Sequence, residues 1–134
     1  MREVVVLGAS RTAIGDYLGT LSNVSAVELG IAAAKSALEK SGVKPSQIDE
    51  VIGGHVLQAG CKGNSARQVC LGVGCPVETV AVTINQMCPS SMRATEIASQ
   101  QIMLGKTDIE LVAGYESMSN APYMSLKARQ GLRM

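Results

Sequence analysis

Apolar residues recur along the chain with two different periods, one typical of strands and one of helices, and segments of the two kinds alternate. Short apolar or strictly alternating segments, which are typical of strands, occupy residues 3–7, 50–58, 79–84 and 109–113. The first of them, EVVVL, is rich in β-branched residues and predicts a strand that is buried on both faces. The segments between the strands repeat at helical spacing. The pattern therefore predicts the order βαβαβαβ.

Each predicted helix has its own start and stop residues. Ser25, with a glutamate three residues later, forms a capping box that begins the first helix, and Gly42 ends it. Asn64 caps a short second helix. The third begins at Pro89 and ends at Gly105. The apolar face of the second helix consists of Ala66, Val69, Cys70 and Val73.

This alternation predicts an α/β fold with a mostly parallel sheet and helices on both of its faces. Ligands of such sheets gather at the carboxyl ends of the strands. A long irregular segment, residues 9–24, follows the first predicted strand and is a candidate site loop. Residues 114–134 lose all periodicity, so we expect an incomplete domain.

Composition narrows the function classes. The chain has 134 residues, 46% of them hydrophobic, which suits one domain with a buried core. A net charge of +1 and only three aromatic residues, all tyrosines, argue against nucleic-acid or anionic membrane surfaces. We find neither a signal peptide nor a membrane span, so a cytoplasmic location is expected. The sequence also lacks a phosphate-loop or dinucleotide fingerprint.

Four cysteines and one histidine are the candidates for chemistry. The spacing of Cys61, Cys70, Cys75 and Cys88 fits neither a zinc site nor a disulfide framework, so we expect free thiols and no metal. His55 lies inside a strand pattern and is interpreted as a packed imidazole. Cys70 fits a small buried hydrophobe, and Cys75 has no assignment.

Cys88 differs because it lies between a predicted strand and a predicted helix. Such a turn projects the side chain outward, and the positive end of the helix dipole favours a thiolate. A thiolate is a natural attacker of thioesters. A helix-start cysteine with no role fits the bare pattern equally well, because no partner base is visible.

Several colinear segments resemble the thiolase family, in particular its biosynthetic acetyl-CoA acetyltransferase type. They cover most of the chain: REVVVLGASRTAIG, HVLQAGCKGNSARQ, VTINQMC, AGYESMSNAPY and KARQGLRM. The resemblance implies the amino-terminal part of a layered αβαβα thiolase subunit. It divides the chain into an incomplete half-domain over residues 1–118, lacking its last strand, and the start of an inserted CoA-binding loop domain over residues 119–134.

The resemblance also implies the chemistry. Cys88 would accept the acetyl group of acetyl-CoA, and a second acetyl-CoA would attack it to give acetoacetyl-CoA; thiolysis is the reverse. Coenzyme A thioesters are substrates, and no bound cofactor is expected. The family's histidine, its second cysteine and its oxyanion-hole asparagine belong to the carboxyl-terminal half, so we expect a homo-oligomer or a complementary carboxyl-terminal chain as partner.

Three residues depart from the family pattern, and two other interpretations stay open. Pro89 and Ser91 replace residues of a Cys-Gly-Ser-Gly type turn, and Tyr115 stands at a usual glycine position. These changes suggest either a retuned pocket or a non-catalytic thiolase-like fragment with an assembly role or none. A ketoacyl synthase is the weaker alternative, because NAPY is a thiolase trait.

Overall fold

Three strands and three helices alternate along residues 2–131, the part of the chain that this computed structural model describes. The elements are α1 (Ala26–Ser41), β1 (Glu50–Gly54), α2 (Ser65–Gly72), β2 (Val80–Ile84), α3 (Ser90–Met103) and β3 (Glu110–Gly114). Short 3-10 turns occur at Pro45–Gln47, Met118–Asn120 and Ala128–Gln130.

The three strands form one parallel sheet in the order β2-β1-β3. Because successive side chains of a strand point to opposite faces, Val51 packs with α1 and α2, whereas Ile52 packs with α3. Helices therefore cover both faces, which confirms the predicted α/β class and parallel sheet. β2 and β3 are edge strands of this sheet, and Val80 and Val82 of β2 are exposed.

Local signals place the helices correctly. Ser25 caps α1, and its hydroxyl and Glu28 form the predicted capping box, while Gly42 ends the helix with a left-handed φ of 71°. The side chain of Asn64 caps α2, whose predicted apolar face is buried. Pro89 is the cap of α3 rather than its first residue. The last three predicted strands are confirmed, with β1 ending at Gly54 instead of residue 58.

The predicted strand over residues 3–7 is wrong. This segment is irregular, and Val5, Val6 and Leu7 are 64%, 84% and 56% exposed. Just after this segment, Ser10 Oγ donates to Ser36 Oγ of α1 at 2.9 Å. A β-branched segment becomes a strand only where another strand takes its backbone hydrogen bonds, and no described residue does so here. The observed order of described elements is αβαβαβ.

The predicted start of a loop domain, residues 119–134, lies partly outside the described residues, since residues 132–134 are not covered. Its first residues still contact the main body: Ser119 Oγ accepts from the amide of Leu18 at 2.8 Å, and Asn120 donates to the carbonyls of Ser22 and Val24. Among residues 2–131, none of the helices combines the length and apolar character needed to cross a membrane.

Candidate functional site

The carboxyl ends of all three strands meet at one edge of the sheet, and each strand continues there into a polar segment. His55 follows β1, Asn85 follows β2 and Tyr115 follows β3. Cys88 lies in the five-residue segment, residues 85–89, that leads from β2 to α3, and its side chain is exposed. The structure therefore places the thiol at the edge where the sequence predicted it.

The turn before Cys88 is held by three side-chain contacts. Met87 has a left-handed φ of 58°, which is unfavourable for a residue with a side chain. Asn85 Oδ1 accepts from the Met87 amide at 3.0 Å, so an Asx turn supports this conformation. The buried Ser90 hydroxyl accepts from the Gln86 amide at 2.9 Å and donates to the Met87 carbonyl at 2.5 Å. The result is a fixed elbow with Cys88 at its tip.

Two glycines let the start of α3 approach the sheet. A β-carbon on Gly54 would lie 2.5 Å from the backbone nitrogen of Ser91, and one on Gly114 would lie 2.6 Å from Ser91 Cβ. Ser91 therefore fills space above β1 and β3 that its glycine neighbours leave open. Its bulk, a departure from the family pattern, is accommodated against the sheet.

Beneath the edge, a buried serine joins residues from all three strand ends. Ser65 Oγ lies 3.0 Å from His55 Nδ1, 3.1 Å from the Tyr115 hydroxyl and 3.3 Å from Thr83 Oγ1. His55 and Ser65 are 1% and 0% exposed, and the His55 and Tyr115 rings are 5.1 Å apart. A buried polar group is tolerated where such partners exist. This confirms the packed imidazole at His55.

Glu116 extends the cluster towards the surface. Its carboxylate accepts from the backbone amides of Val56 at 2.9 Å and Leu57 at 3.0 Å. His55 Nε2 lies 3.1 Å from Glu116 Oε1, but outside hydrogen-bonding geometry, so this ring nitrogen has no bonded partner among the described residues. Burial lowers the pKa of His55, and the Glu116 charge opposes that shift in part.

A hydrolase triad uses the same residue types as Ser65, His55 and Glu116. The distances also resemble those of a triad, with 3.0 Å from Ser65 Oγ to His55 Nδ1 and 3.1 Å from His55 Nε2 to Glu116 Oε1. The arrangement is nevertheless structural, because Ser65 is completely buried and its hydroxyl is shared with Tyr115 and Thr83. A nucleophile needs an open approach for its substrate. Cys88 has that approach and Ser65 does not.

Tyr115 fits into space left by two further glycines. A β-carbon on Gly53 would lie 2.4 Å from the Tyr115 hydroxyl oxygen, and one on Gly30 would lie 2.7 Å from the Tyr115 ring. The side chain is 7% exposed and belongs to the core shared by α1, α2 and the sheet. Its substitution for a usual glycine is thus absorbed inside the fold.

The remaining cysteines lie apart from this chemistry. Cys70 is buried, as predicted, and Cys75 is buried next to it. Burial, followed by the neighbouring Cys70, raises the pKa of Cys75 to about 12, so this thiol stays protonated at neutral pH. Cys61 is half-buried. Within residues 2–131 no group of histidine, cysteine and acidic side chains could hold a metal ion.

Comparison with known proteins now identifies the family. A family model described as "Thiolase, N-terminal domain" matches residues 4–134. The chain belongs to the thiolase family. Curated thiolases named acetyl-CoA acetyltransferase from Gibberella zeae and Cupriavidus necator are 45% and 44% identical to it, over 97% and 100% of the chain. The Gibberella zeae name adds "ERG10, cytosolic".

Solved thiolase structures share this fold. Acetyl-CoA acetyltransferase from Syntrophomonas wolfei superposes with a TM-score of 0.94 at 52% identity, over 97% of this chain and 33% of that one. The Acat5 thiolase from Ascaris suum, solved in complex with coenzyme A, gives a TM-score of 0.86 at 44% identity, over 90% and 32% of the two chains. The chain spans about a third of the length of the thiolases it matches.

Three residues of the site were not anticipated from sequence. Ser90 and Asn85 fix the elbow, and Glu116 holds the turn that follows β1. Asn85 had a usable signal, since an asparagine directly after a predicted strand often hydrogen-bonds the backbone two residues on and so forms an Asx turn. Glu116 had none, because its partners at residues 56 and 57 are about sixty positions away along the chain.

Proposed function

We propose that this chain supplies the nucleophile of an acetyl-CoA acetyltransferase, and that Cys88 is that nucleophile. One observation carries the proposal: in a member of the thiolase family, the exposed cysteine at the carboxyl edge of the sheet lies on a fixed turn before a helix. This position is open to a large thioester and is supported by contacts that do not involve the thiol.

The reaction would proceed in two covalent steps. The Cys88 thiolate attacks the carbonyl carbon of acetyl-CoA, the bond from that carbon to the CoA sulfur breaks, and CoA leaves to be protonated. A second acetyl-CoA then loses a methyl proton to a base, and its carbanion attacks the acetyl group on Cys88. Release of the Cys88 thiolate gives acetoacetyl-CoA, and the reverse sequence is thiolysis.

The other groups of this reaction are proposed to lie in the two thirds of a thiolase subunit that this chain does not span. They are the base, the acid and part of the oxyanion hole. We propose that residues 1–118 form the half-domain that carries Cys88 and that residues 119–134 begin the CoA-binding loop domain. Partners would be a second subunit or a complementary carboxyl-terminal chain, in the cytoplasm. The exposed Val80 and Val82 of an edge strand support such assembly.

Acetylation of Cys88 tests the proposal directly. The chain, completed with the carboxyl-terminal part of a thiolase subunit, is incubated with acetyl-CoA, and the masses of its tryptic peptides are measured by mass spectrometry. We expect one acetyl group on Cys88, absent in Cys88→Ser and retained in the matched control Cys61→Ser. An unmodified Cys88 in the completed protein would instead favour the non-catalytic fragment, to which Pro89, an N-cap without an N–H group, lends some support.

A further inference from the structure

Glu116 holds a turn that does not contain Cys88 but touches the segment that does. Its two carboxylate oxygens take the successive amides of Val56 and Leu57, at 2.9 and 3.0 Å. Hydrogen bonds to an ionised acceptor are roughly twice as strong as neutral ones. The carboxylate therefore fixes the backbone immediately after His55, whose own amide donates to the Ile84 carbonyl at 3.0 Å.

Asn85 connects this turn to the elbow. Its Nδ2 group lies 3.4 Å from the Val56 carbonyl, to which it donates, and its Oδ1 accepts from the Met87 amide at 3.0 Å. The Asn85 side chain is thus hydrogen-bonded to Val56 at one end and to Met87 at the other. It stabilises the left-handed conformation of Met87, which directly precedes Cys88. We propose that Glu116 is a positioning residue for Cys88, acting through the Val56 turn and Asn85 on the Met87 backbone.

Packing against a buried histidine holds the Glu116 carboxylate in place. His55, 1% exposed, fills the space beside the carboxylate with Nε2 3.1 Å from Oε1, and the ring is itself held by Ser65. The carboxylate side chain is 33% exposed, so one side is packed and the other faces solvent. Both of its oxygens are taken by the backbone of this chain, which leaves Glu116 a structural support rather than an acid or base.

The inference rests on the proposed role of Cys88, but its first test does not. In Glu116→Gln one oxygen becomes an amide group that cannot accept, so one of the two backbone amides loses its partner. We expect hydrogen exchange of the Met87 amide, followed by NMR in the completed protein, to become about tenfold faster, as for the loss of one hydrogen bond. Amides in the middle of α1 should exchange as before, and so should Met87 in the control Glu39→Gln, an exposed carboxylate on α1.

The second test reads the chemistry. A misplaced nucleophile loses about tenfold to a hundredfold in rate. Glu116→Gln should therefore lower kcat for acetoacetyl-CoA formation by that factor with KM within about twofold, because the substrate-binding surface is unchanged. Asn85→Ala should do the same, and the double variant should be no worse than the worse single one, since both act on one path.

The outcomes separate the two proposals. Unchanged Met87 exchange in Glu116→Gln, or additive losses in the double variant, would overturn the positioning role while leaving Cys88 acetylation intact. A wild-type protein that is never acetylated would overturn the proposed function, with Met87 exchange still deciding the role of Glu116. If Glu116→Gln fails to fold, Asn85→Ala alone decides, because Asn85 is exposed and its loss leaves the core intact: wild-type kcat and Met87 exchange in that variant would refute the relay.

Discussion

The two edges of the same sheet differ in how their half-buried glutamates are paired. At the carboxyl edge, one carboxylate, Glu116, receives two backbone amides and faces a histidine whose pKa burial lowers. At the amino edge, Glu50 and Glu110 are register partners on adjacent strands, and Glu110 Oε2 is buried without a hydrogen bond among the described residues. Burial raises the pKa of Glu110 to about 7, and Glu50 and Asp49 add to the shift.

The difference shows at which edge of the sheet the polar side chains fix one another's positions, and at which edge a poorly paired carboxylate is only tolerated. At the carboxyl edge Ser65 shares hydrogen bonds with His55, Tyr115 and Thr83, and among the described residues only His55 Nε2, which faces Glu116, lacks one. Such a connected polar network fixes geometry.

At the amino edge, Asp49 accepts two backbone amides, but Glu50 takes one hydrogen bond from Gln101 and Glu110 takes only one, from Thr107. Function is therefore expected at the first edge, and a stability cost at the second.

The largest expected effect comes from closing the space at the carboxyl edge. In Gly54→Ala the new β-carbon would lie 2.5 to 2.8 Å from backbone atoms of Ser90 and Ser91, so the start of α3 must move. Overpacking that shifts backbone costs about 1–3 kcal/mol, and the overlap with three backbone atoms places Gly54→Ala at the upper end, about 3 kcal/mol. Urea denaturation should show that loss, together with loss of Cys88 acetylation.

Gly63→Ala is the matched control, because nothing lies within 4 Å of its added β-carbon. We expect its unfolding free energy to stay within about 0.5 kcal/mol of wild type. A Gly54→Ala protein as stable as this control would show that α3 does not seat against β1 as described.

These contrasts also show how far sequence could go. Ser25, Asn64 and Gly42 act on neighbours within four residues, so the helices were predictable. Cys88 was located for the same reason, since a strand and a helix on either side of it are local patterns. The segment 3–7 was mispredicted because its state depends on a partner strand, and no local signal reports whether one is in place.

The polar network beneath the site was beyond local reasoning. Ser65, Tyr115 and Glu116 meet His55 only after the sheet has formed, and their sequence separations from it are 10, 60 and 61 positions. Tyr115 looked disruptive in sequence because the glycines that make room for it, Gly30 and Gly53, are distant along the chain. Neither the polar network around His55 nor the packing of Tyr115 against these glycines produces a periodic pattern in the sequence, so neither was predictable from one sequence.

The second-largest expected effect is a pH-dependent change in stability that depends on Glu110 at the amino edge. The folded pKa of Glu110, about 7, exceeds its ordinary value of 4.5, so the folded state binds the extra proton between these values. The contribution of this group to stability is full below pH 4.5 and is lost as the pH rises through about 7. Glu110→Gln removes the charge, and we expect it to stabilise the protein by about 2 kcal/mol at pH 8 and by nothing at pH 4.

Glu39→Gln, an exposed carboxylate on α1, is the control and should leave the pH dependence unchanged. The measurement is the urea midpoint from pH 4 to pH 8. His55 acts in the opposite direction: because its folded pKa is lowered, its contribution is present above pH 6.5 and declines on acidification. A Glu110→Gln protein that gained nothing at pH 8 would mean that the carboxylate is solvated at the amino edge after all.

The smallest effect tests whether the carboxyl edge is as well satisfied as its contacts indicate. Tyr115→Phe keeps the ring between Gly30 and Gly53 and removes only the hydroxyl that lies 3.1 Å from Ser65 Oγ. Ser65 retains His55 and Thr83 as partners, so the loss should be about 1 kcal/mol in urea denaturation, the value of one hydrogen bond. Tyr123→Phe, at a fully exposed ring, should change nothing. A loss well above that of one hydrogen bond would mean that Ser65 depends on Tyr115 to orient His55, and the network would then act as one unit rather than as separate contacts.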